Sequence, residues 1–191
     1  PAQGLDAFPN HEGAYDQAAL MHEQALAVFE KALGPDHADT GIALANLSRL
    51  YERLGDFVKA ERFGQRALEI VEKNHGLDSE KAATPLMNLA GVYSSRRDFS
   101  EAMPLLQLAV KLNERFRGPD DPETAISLNN LALLYQRLGQ YTETERLMLR
   151  TLKIAEKRLG SEHPVVATRL GNLAGLYSNM RLTDKAEALY V

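Results

Sequence analysis

The chain has 191 residues, of which 45% are hydrophobic and 25% are charged, and its formal net charge is −4 with a pI of about 5.8. These values are typical of a folded protein, and the acidic balance argues against a nucleic-acid-binding surface, which is usually basic. Because the sequence contains no cysteine, it excludes disulfides, thiolate metal sites and a cysteine nucleophile. No apolar run reaches the roughly 18 residues of a membrane span, so we expect no membrane partner. The acidic balance leads us to expect no nucleic-acid partner, and the lack of cysteine suits the reducing, cytoplasmic location that we expect.

A period of 42 residues runs through the sequence. Four separate columns keep this period without a gap: Tyr51, Tyr93, Tyr135 and Tyr177; Asn46, Asn88, Asn130 and Asn172; Leu47, Leu89, Leu131 and Leu173; and Gly34, Gly76, Gly118 and Gly160. Each repeat holds two segments whose apolar residues recur at helical spacing, joined by a short turn. The sequence therefore predicts a tandem array of helix pairs.

The predicted elements follow in chain order. We expect an irregular tail over 1–12, a half unit over 13–33, full units over about 34–75, 76–117 and 118–159, and a partial unit over 160–191. The corresponding helices number about nine: one near 15–32, pairs within 38–73, 80–116 and 122–158, one over 164–179, and a last one that starts near Thr183.

The turns carry the expected chemistry. The inter-unit glycines can end a helix in the left-handed conformation, and Pro122 and Pro164 suit the first turn of a helix. His37 and His163 occupy equivalent turns, where the imidazole can satisfy backbone groups. Pro85 and Pro104 fall several residues inside predicted helices, so each should remove a hydrogen bond and bend its helix.

The last predicted helix is about half the length of its equivalents, and the sequence starts with Pro1 rather than methionine. We therefore expect the chain to be a piece of a longer protein with an apolar face open at its end. Solenoids normally cover such ends with a polar cap. Self-association through open ends is one consequence of this expectation.

The repeat resembles the tetratricopeptide repeat. The resemblance is carried by Leu128, Leu131-Ala132 and Tyr135 in the first helix, and by a small residue such as Ala60 and then Ala67 in the second. The usual unit has about 34 residues, and the longer unit here, with "LGPDHADT" and "LNNLALLY", resembles the variant of kinesin light chains. The resemblance implies an all-α, right-handed superhelical solenoid whose first helices line a concave groove that binds peptides.

On a helical wheel, one asparagine per unit points away from the helix-pair core. An amide offers both a donor and an acceptor, which suits the backbone of an extended peptide. The predicted groove residues are Asn46, Arg49, Arg53, Asn88, Ser95, Asn129, Asn130, Leu133, Arg137, Asn172 and Asn179. The alternative is that each asparagine binds an adjacent helix and fixes the stacking angle.

The predicted groove is positively charged although the chain is acidic. The predicted groove positions hold three arginines, Arg49, Arg53 and Arg137, and a single carboxylate, that of Glu52. A concave wall concentrates the electric field, so we expect an acidic peptide as partner. Small residues at Gly91, Ser94, Ser95, Gly171 and Gly175 would leave space for one bulky apolar anchor. The alternative is that the arginines are solvated surface or are paired within the array.

We find no sequence motif for catalysis. The five histidines share no helix face at metal-ligand spacing, and "HEQAL" has Leu26 where a zinc-binding motif needs its second histidine. No phosphate-binding loop or nucleophile elbow is present. We expect no enzyme activity and no cofactor, and interpret the chain as a scaffold or adaptor. The alternatives are a self-associating structural array and a sensor segment of a larger ATPase or protease.

Overall fold

The computed structural model describes the backbone of residues 11–189 and the side chains of residues 17–189. Within these residues the chain forms nine α-helices, one 3-10 turn and no strand, which confirms the all-α prediction. The helices are α1 (His11–Leu33), α2 (Ala38–Leu54), α3 (Phe57–His75), α4 (Ala83–Ser95), α5 (Phe99–Phe116), α6 (Pro122–Arg137), α7 (Tyr141–Leu159), α8 (Pro164–Asn179) and α9 (Thr183–Glu187), with the 3-10 turn at Glu80–Ala82. Residues 1–10 of the predicted tail lie outside the described part, and α1 begins at His11.

The helices pack as a stack of pairs. Helices α2 and α3, α4 and α5, α6 and α7, and α8 and α9 are paired, and each second helix contacts the first helix of the next pair. In addition the backbones of α2 and α4, and of α4 and α6, approach each other closely, whereas those of α3 and α5, and of α5 and α7, do not within the described chain. Between α5 and α7 a side-chain contact remains, in which Arg150 pairs with Glu114 at 2.5 Å. A stack in which one row of helices is closer together curves towards that row. The first helices therefore line the inner side of a solenoid.

Side chains at the repeat boundaries fix where the helices begin. His37 Nδ1 accepts a hydrogen bond of 3.2 Å from Asp39 N at the start of α2, and His163 Nδ1 accepts one of the same length from Val165 N at the start of α8. Asp121 caps α6 in the same way through Glu123 N at 2.9 Å. The structural role predicted for the two histidines is thus confirmed. Each cap accepts a hydrogen bond from a backbone N–H of the first helical turn, which has no acceptor within the helix.

The predicted stripes form the core. Leu44, Leu47, Ala132 and Ala60 are fully buried, as the 3.6-residue period requires. Leu131 is 6% exposed, but Tyr135 is only partly buried, less than its equivalents in α2 and α8.

The two prolines behave differently. Pro104 lies inside α5, as predicted. The prediction for Pro85 is wrong, because a 3-10 turn takes the place of the first helical turn and α4 starts only at Ala83. Pro85 is therefore the third residue of α4, where its missing N–H has no intrahelical partner to lose.

Candidate functional site

The inner faces of α2, α4 and α6 form a central groove. Its lining includes Arg49, Glu52, Asn88, Ser94, Ser95, Asn130, Leu133 and Arg137. The sequence analysis placed all eight on the groove face, six of them as candidate binding residues. The two others, Glu52 and Ser94, are hydrogen-bonded to predicted groove residues, as described below.

A second depression, which we call the first junction pocket, lies where α2, the end of α3 and the start of α4 meet. Its floor is apolar and includes Ile42, Ala45, Ile70, Val71 and Pro85. Asn46, Arg49 and Asn88 belong to the same lining, so this pocket continues into the central groove. Its volume is about 270 Å³, enough for one large apolar side chain.

A third depression, the second junction pocket, lies between α6, α7 and α8. It consists of two adjoining cavities that share Ile126, Val165 and Arg169. The first cavity also includes Asn129 and Asn172, and the second is lined by Ile154, Ala155, Arg158 and other mainly apolar residues. Two further predicted residues are thus brought together here, about two repeats away from the first junction pocket.

The repeated asparagines are almost free of intramolecular hydrogen bonds. Among the described residues, the amides of Asn46, Asn88 and Asn172 have no hydrogen-bond partner, and Asn130 Nδ2 has only Met87 Sδ, a weak acceptor, at 3.6 Å. A role in fixing the helix stacking would require such bonds. The geometry therefore favours amides that are available to a ligand.

The arginines of the central groove are not equivalent. Arg137 Nη1 donates to Ser94 O at 2.9 Å and to Ser94 Oγ at 3.0 Å, which ties α6 to the end of α4. Arg49 and Arg53 are exposed and form no ion pair or hydrogen bond with any described side chain or backbone group. Of these two, only Arg49 lines the pockets.

The space expected at Gly91, Ser94 and Ser95 is partly filled by Glu52, although all three residues still line the central groove. Ser95 Oγ donates to Glu52 Oε1 at 2.8 Å, and a Cβ added at Gly91 would meet Glu52 Oε2 at 3.4 Å. An apolar pocket lies instead nearer the start of α4, against Ile42 and Ile70.

Arg53 and Asn179 line none of the three depressions. Conversely, the sequence interpretation missed Arg169. Its Nε is buried without a hydrogen-bond partner, and burial lowers the pKa of this guanidinium. A charged residue in a column that otherwise holds Ala43, Pro85 and Ser127 was the sequence feature that could have revealed it.

Within residues 17–189, no three histidine or acidic side chains come close enough together to hold a metal ion. None of the described helices is both long and apolar enough to cross a bilayer.

A stack of helix pairs with a polar inner groove defines a helical repeat protein of the peptide- and protein-binding kind. The sequence model of the tetratricopeptide repeat matches residues 10–73, 81–143 and 123–191. The chain therefore belongs to the tetratricopeptide repeat family, and its 42-residue units are of the kinesin-light-chain-like type.

Solved structures agree with this assignment. BtubC (BKLC) from P. vanneervenii is 28% identical, with a TM-score of 0.79 over 93% of this chain and 71% of that one. A putative kinesin light chain from Podosopora anserina with nearly identical repeats is 25% identical, with a TM-score of 0.78 over 93% and 84%. A Rap protein complexed with Competence and Sporulation Factor shares the fold at 17% identity, a TM-score of 0.75 and coverage of 94% and 48%.

These similarities confirm the predicted right-handed superhelical solenoid. No curated protein matches the sequence. Tetratricopeptide repeats are protein–protein interaction modules and are generally not enzymes, so the chain is an interaction scaffold.

Proposed function

We propose that the scaffold binds an extended, acidic peptide segment along its inner face, in the central groove and the two junction pockets. The observation that carries this proposal is the set of asparagine amides on that face. Asn46, Asn88 and Asn172 have no hydrogen-bond partner within the described chain and lie in pocket linings. An extended peptide presents alternating N–H and C=O groups, which such amides can bind without reading the sequence.

The charges of the groove support an acidic ligand. Arg49 lines both the first junction pocket and the central groove and has no carboxylate partner in the described chain. Glu52 contributes the opposite charge, but its Oε1 already accepts a hydrogen bond from Ser95. An arginine that is not paired within the protein can form a two-bond contact with a ligand carboxylate.

Arg49→Glu tests the proposal with a labelled peptide library in acidic, neutral and basic sets. Binding of the acidic set should weaken at least tenfold and should also weaken with salt, because surface electrostatics are screened. Arg49 is a better choice than Arg137, whose substitution would also break the contact of α6 with Ser94.

The matched control is Lys153→Glu, which reverses an exposed charge on α7 outside all three depressions. This variant should bind the acidic set as the unmodified protein does. Equal binding of the three sets, or equal effects of both substitutions, would contradict the proposed preference for acidic peptides.

A second candidate function is self-association through α1. Met21 and Val28 stand where α3 has the buried Phe63 and Ile70, yet both are exposed because no described helix precedes α1. Light scattering over a range of protein concentrations tests this candidate. A mass that stays monomeric, and is unchanged in Met21→Ser, would count against it.

A further inference from the structure

The second junction pocket repeats the first one. Ile126 and Ile154 in the second occupy the places of Ile42 and Ile70 in the first, each 84 residues or two repeats later. The two linings also share an asparagine, Asn88 in the first and Asn172 in the second. The chain thus presents the same apolar depression twice.

The intermediate junction, between the two pockets, lacks the exposed isoleucine that both pockets have. There the residue equivalent to the two isoleucines of the inner helices is Thr84. Ile42 is 61% exposed and Ile126 is 45% exposed, whereas threonine presents a smaller and partly polar surface. Apolar contact is therefore concentrated at the two ends of a two-repeat span.

Neither pocket contains a carboxylate, although the chain is acidic overall. The first includes Arg49 and Lys81, and the second includes Arg158 and Arg169. The buried Nε of Arg169 has no acceptor in the described chain. Arg169 as a whole is only partly buried, but a buried N–H without an acceptor is costly, and a ligand carboxylate would supply the missing acceptor.

The separation of the pockets sets a spacing for the ligand. Packed helices lie about 8–10 Å apart, so equivalent points on α2 and α6 are roughly 16–20 Å apart along the inner row. An extended chain rises about 3.3 Å per residue, which places the pockets about five to six residues apart. Because side chains alternate between the two faces of an extended chain, only an even spacing can direct both towards the protein.

We propose that the two junction pockets bind two apolar side chains of one extended peptide, six residues apart, and that Arg169 pairs with a carboxylate beside the second. This inference deepens the proposed function and rests on it. It assigns the specificity of the inner face to the two pockets, while the asparagine amides in the pocket linings and the central groove bind the peptide backbone.

The test uses labelled peptides that carry two phenylalanines flanked by aspartates, with the phenylalanines either six or five residues apart. Fluorescence anisotropy should show at least tenfold tighter binding for the six-residue spacing. Ile42→Ser and Ile126→Ser should each abolish this preference. Both positions are exposed enough to tolerate serine, and thermal unfolding of each variant checks that the fold is kept.

The control is Val58→Ser, which removes an exposed apolar side chain on α3 that lies outside the pockets. It should leave the spacing preference intact. Peptides in which asparagine replaces aspartate test the role of charge. Arg169→Gln should reduce the preference for aspartate over asparagine at least threefold, whereas Lys153→Gln should not change it.

Binding that is indifferent to spacing, or that survives both isoleucine substitutions, would overturn this inference and leave a general peptide groove. An unchanged aspartate preference in Arg169→Gln would overturn the assignment of Arg169. Absence of binding by every peptide, acidic or not, would overturn the proposed function as well.

Discussion

The phenol of Tyr177 donates a hydrogen bond of 2.8 Å to Glu145 Oε1, which joins α8 to α7. The same pair occurs in earlier repeats, where Tyr51 donates to Glu23 at 2.7 Å and Tyr93 to Glu61 at 3.1 Å. Each bond links a first helix to the second helix of the preceding unit. Three of the four tyrosines in the 42-residue column therefore link neighbouring repeats, whereas Tyr135 forms no such bond in the described chain.

Glu145→Gln should weaken the stability of the array at neutral pH but not at low pH. The hydrogen bond from Tyr177, and next the contact with Lys185, lower the pKa of Glu145 in the folded protein. A carboxyl with a lowered folded pKa contributes stability above its unfolded pKa, near 4.5, and loses it as the pH falls through the folded pKa. Urea unfolding of both proteins between neutral and acid pH measures this difference.

The control for this experiment is Glu143→Gln, on the same helix. Glu143 is paired with Arg146 one turn away and forms no hydrogen bond or ion pair with another repeat in the described chain. A loss of stability in Glu145→Gln that stays the same down to the lowest pH would show that the carboxylate charge is not involved.

Ionisation of Tyr177 should lower the stability of the array at alkaline pH. Burial, and then the hydrogen bond to Glu145, raise the pKa of Tyr177 to about 12 from 10.0. A raised folded pKa means that stability is fully present below pH 10 and is lost as the pH rises towards 12. Tyr177→Phe should lack this part of the alkaline loss. Unfolding free energies, together with an absorbance titration of the phenolate, test the sign and the range.

Leu131→Ala should cost about 2–5 kcal/mol of unfolding free energy, because it leaves a cavity in the core. The matched control is Leu133→Ala, two residues along the same helix, where the side chain is 44% exposed and lines the central groove instead. That change should stay within about 0.5 kcal/mol. Similar losses at both positions in denaturant unfolding would mean that α6 is rotated relative to the core.

Arg97→Gly should stabilise the protein by about 1 kcal/mol, because the left-handed conformation is unfavourable for a residue with a Cβ atom. The turn within each unit has a positive φ, 77° at Gly55 and 71° at Gly139, but also 68° at Arg97. The control is Arg96→Gly. Arg96 is in the right-handed conformation and pairs with Glu61 and Asp98, so this change should destabilise. A shift of the same sign in both melting temperatures would refute the conformational argument.

The sequence was sufficient for those parts of the fold that depend on periodicity and local chemistry. The 42-residue period predicted the helix pairs, and the repeated turn residues predicted the caps, because a cap such as that of His37 involves residues only two apart. The position of Pro85 in its helix was not predicted correctly. Its helix is shortened by a 3-10 turn, which a helical pattern does not distinguish from a regular first turn.

The site was less predictable for a physical reason. A helical wheel shows which side chains share a face, and it placed Asn88 and Asn130 correctly in one groove. It does not show contacts between residues in neighbouring repeats, such as that of Arg137 with Ser94, 43 residues apart. For the same reason it predicted an empty space beside Gly91, which the Glu52 side chain partly fills.

The junction pockets have a mechanical consequence. Each pocket is bounded by residues of two consecutive repeats, so its shape depends on how far those repeats are rotated against one another. Repeat arrays are elastic along their axis, because each unit contacts only its neighbours. A single ligand seated in both pockets would fix the pitch of the superhelix over four repeats. Binding would then make the array stiffer under load, so that force spectroscopy could detect a ligand through the extension of the protein.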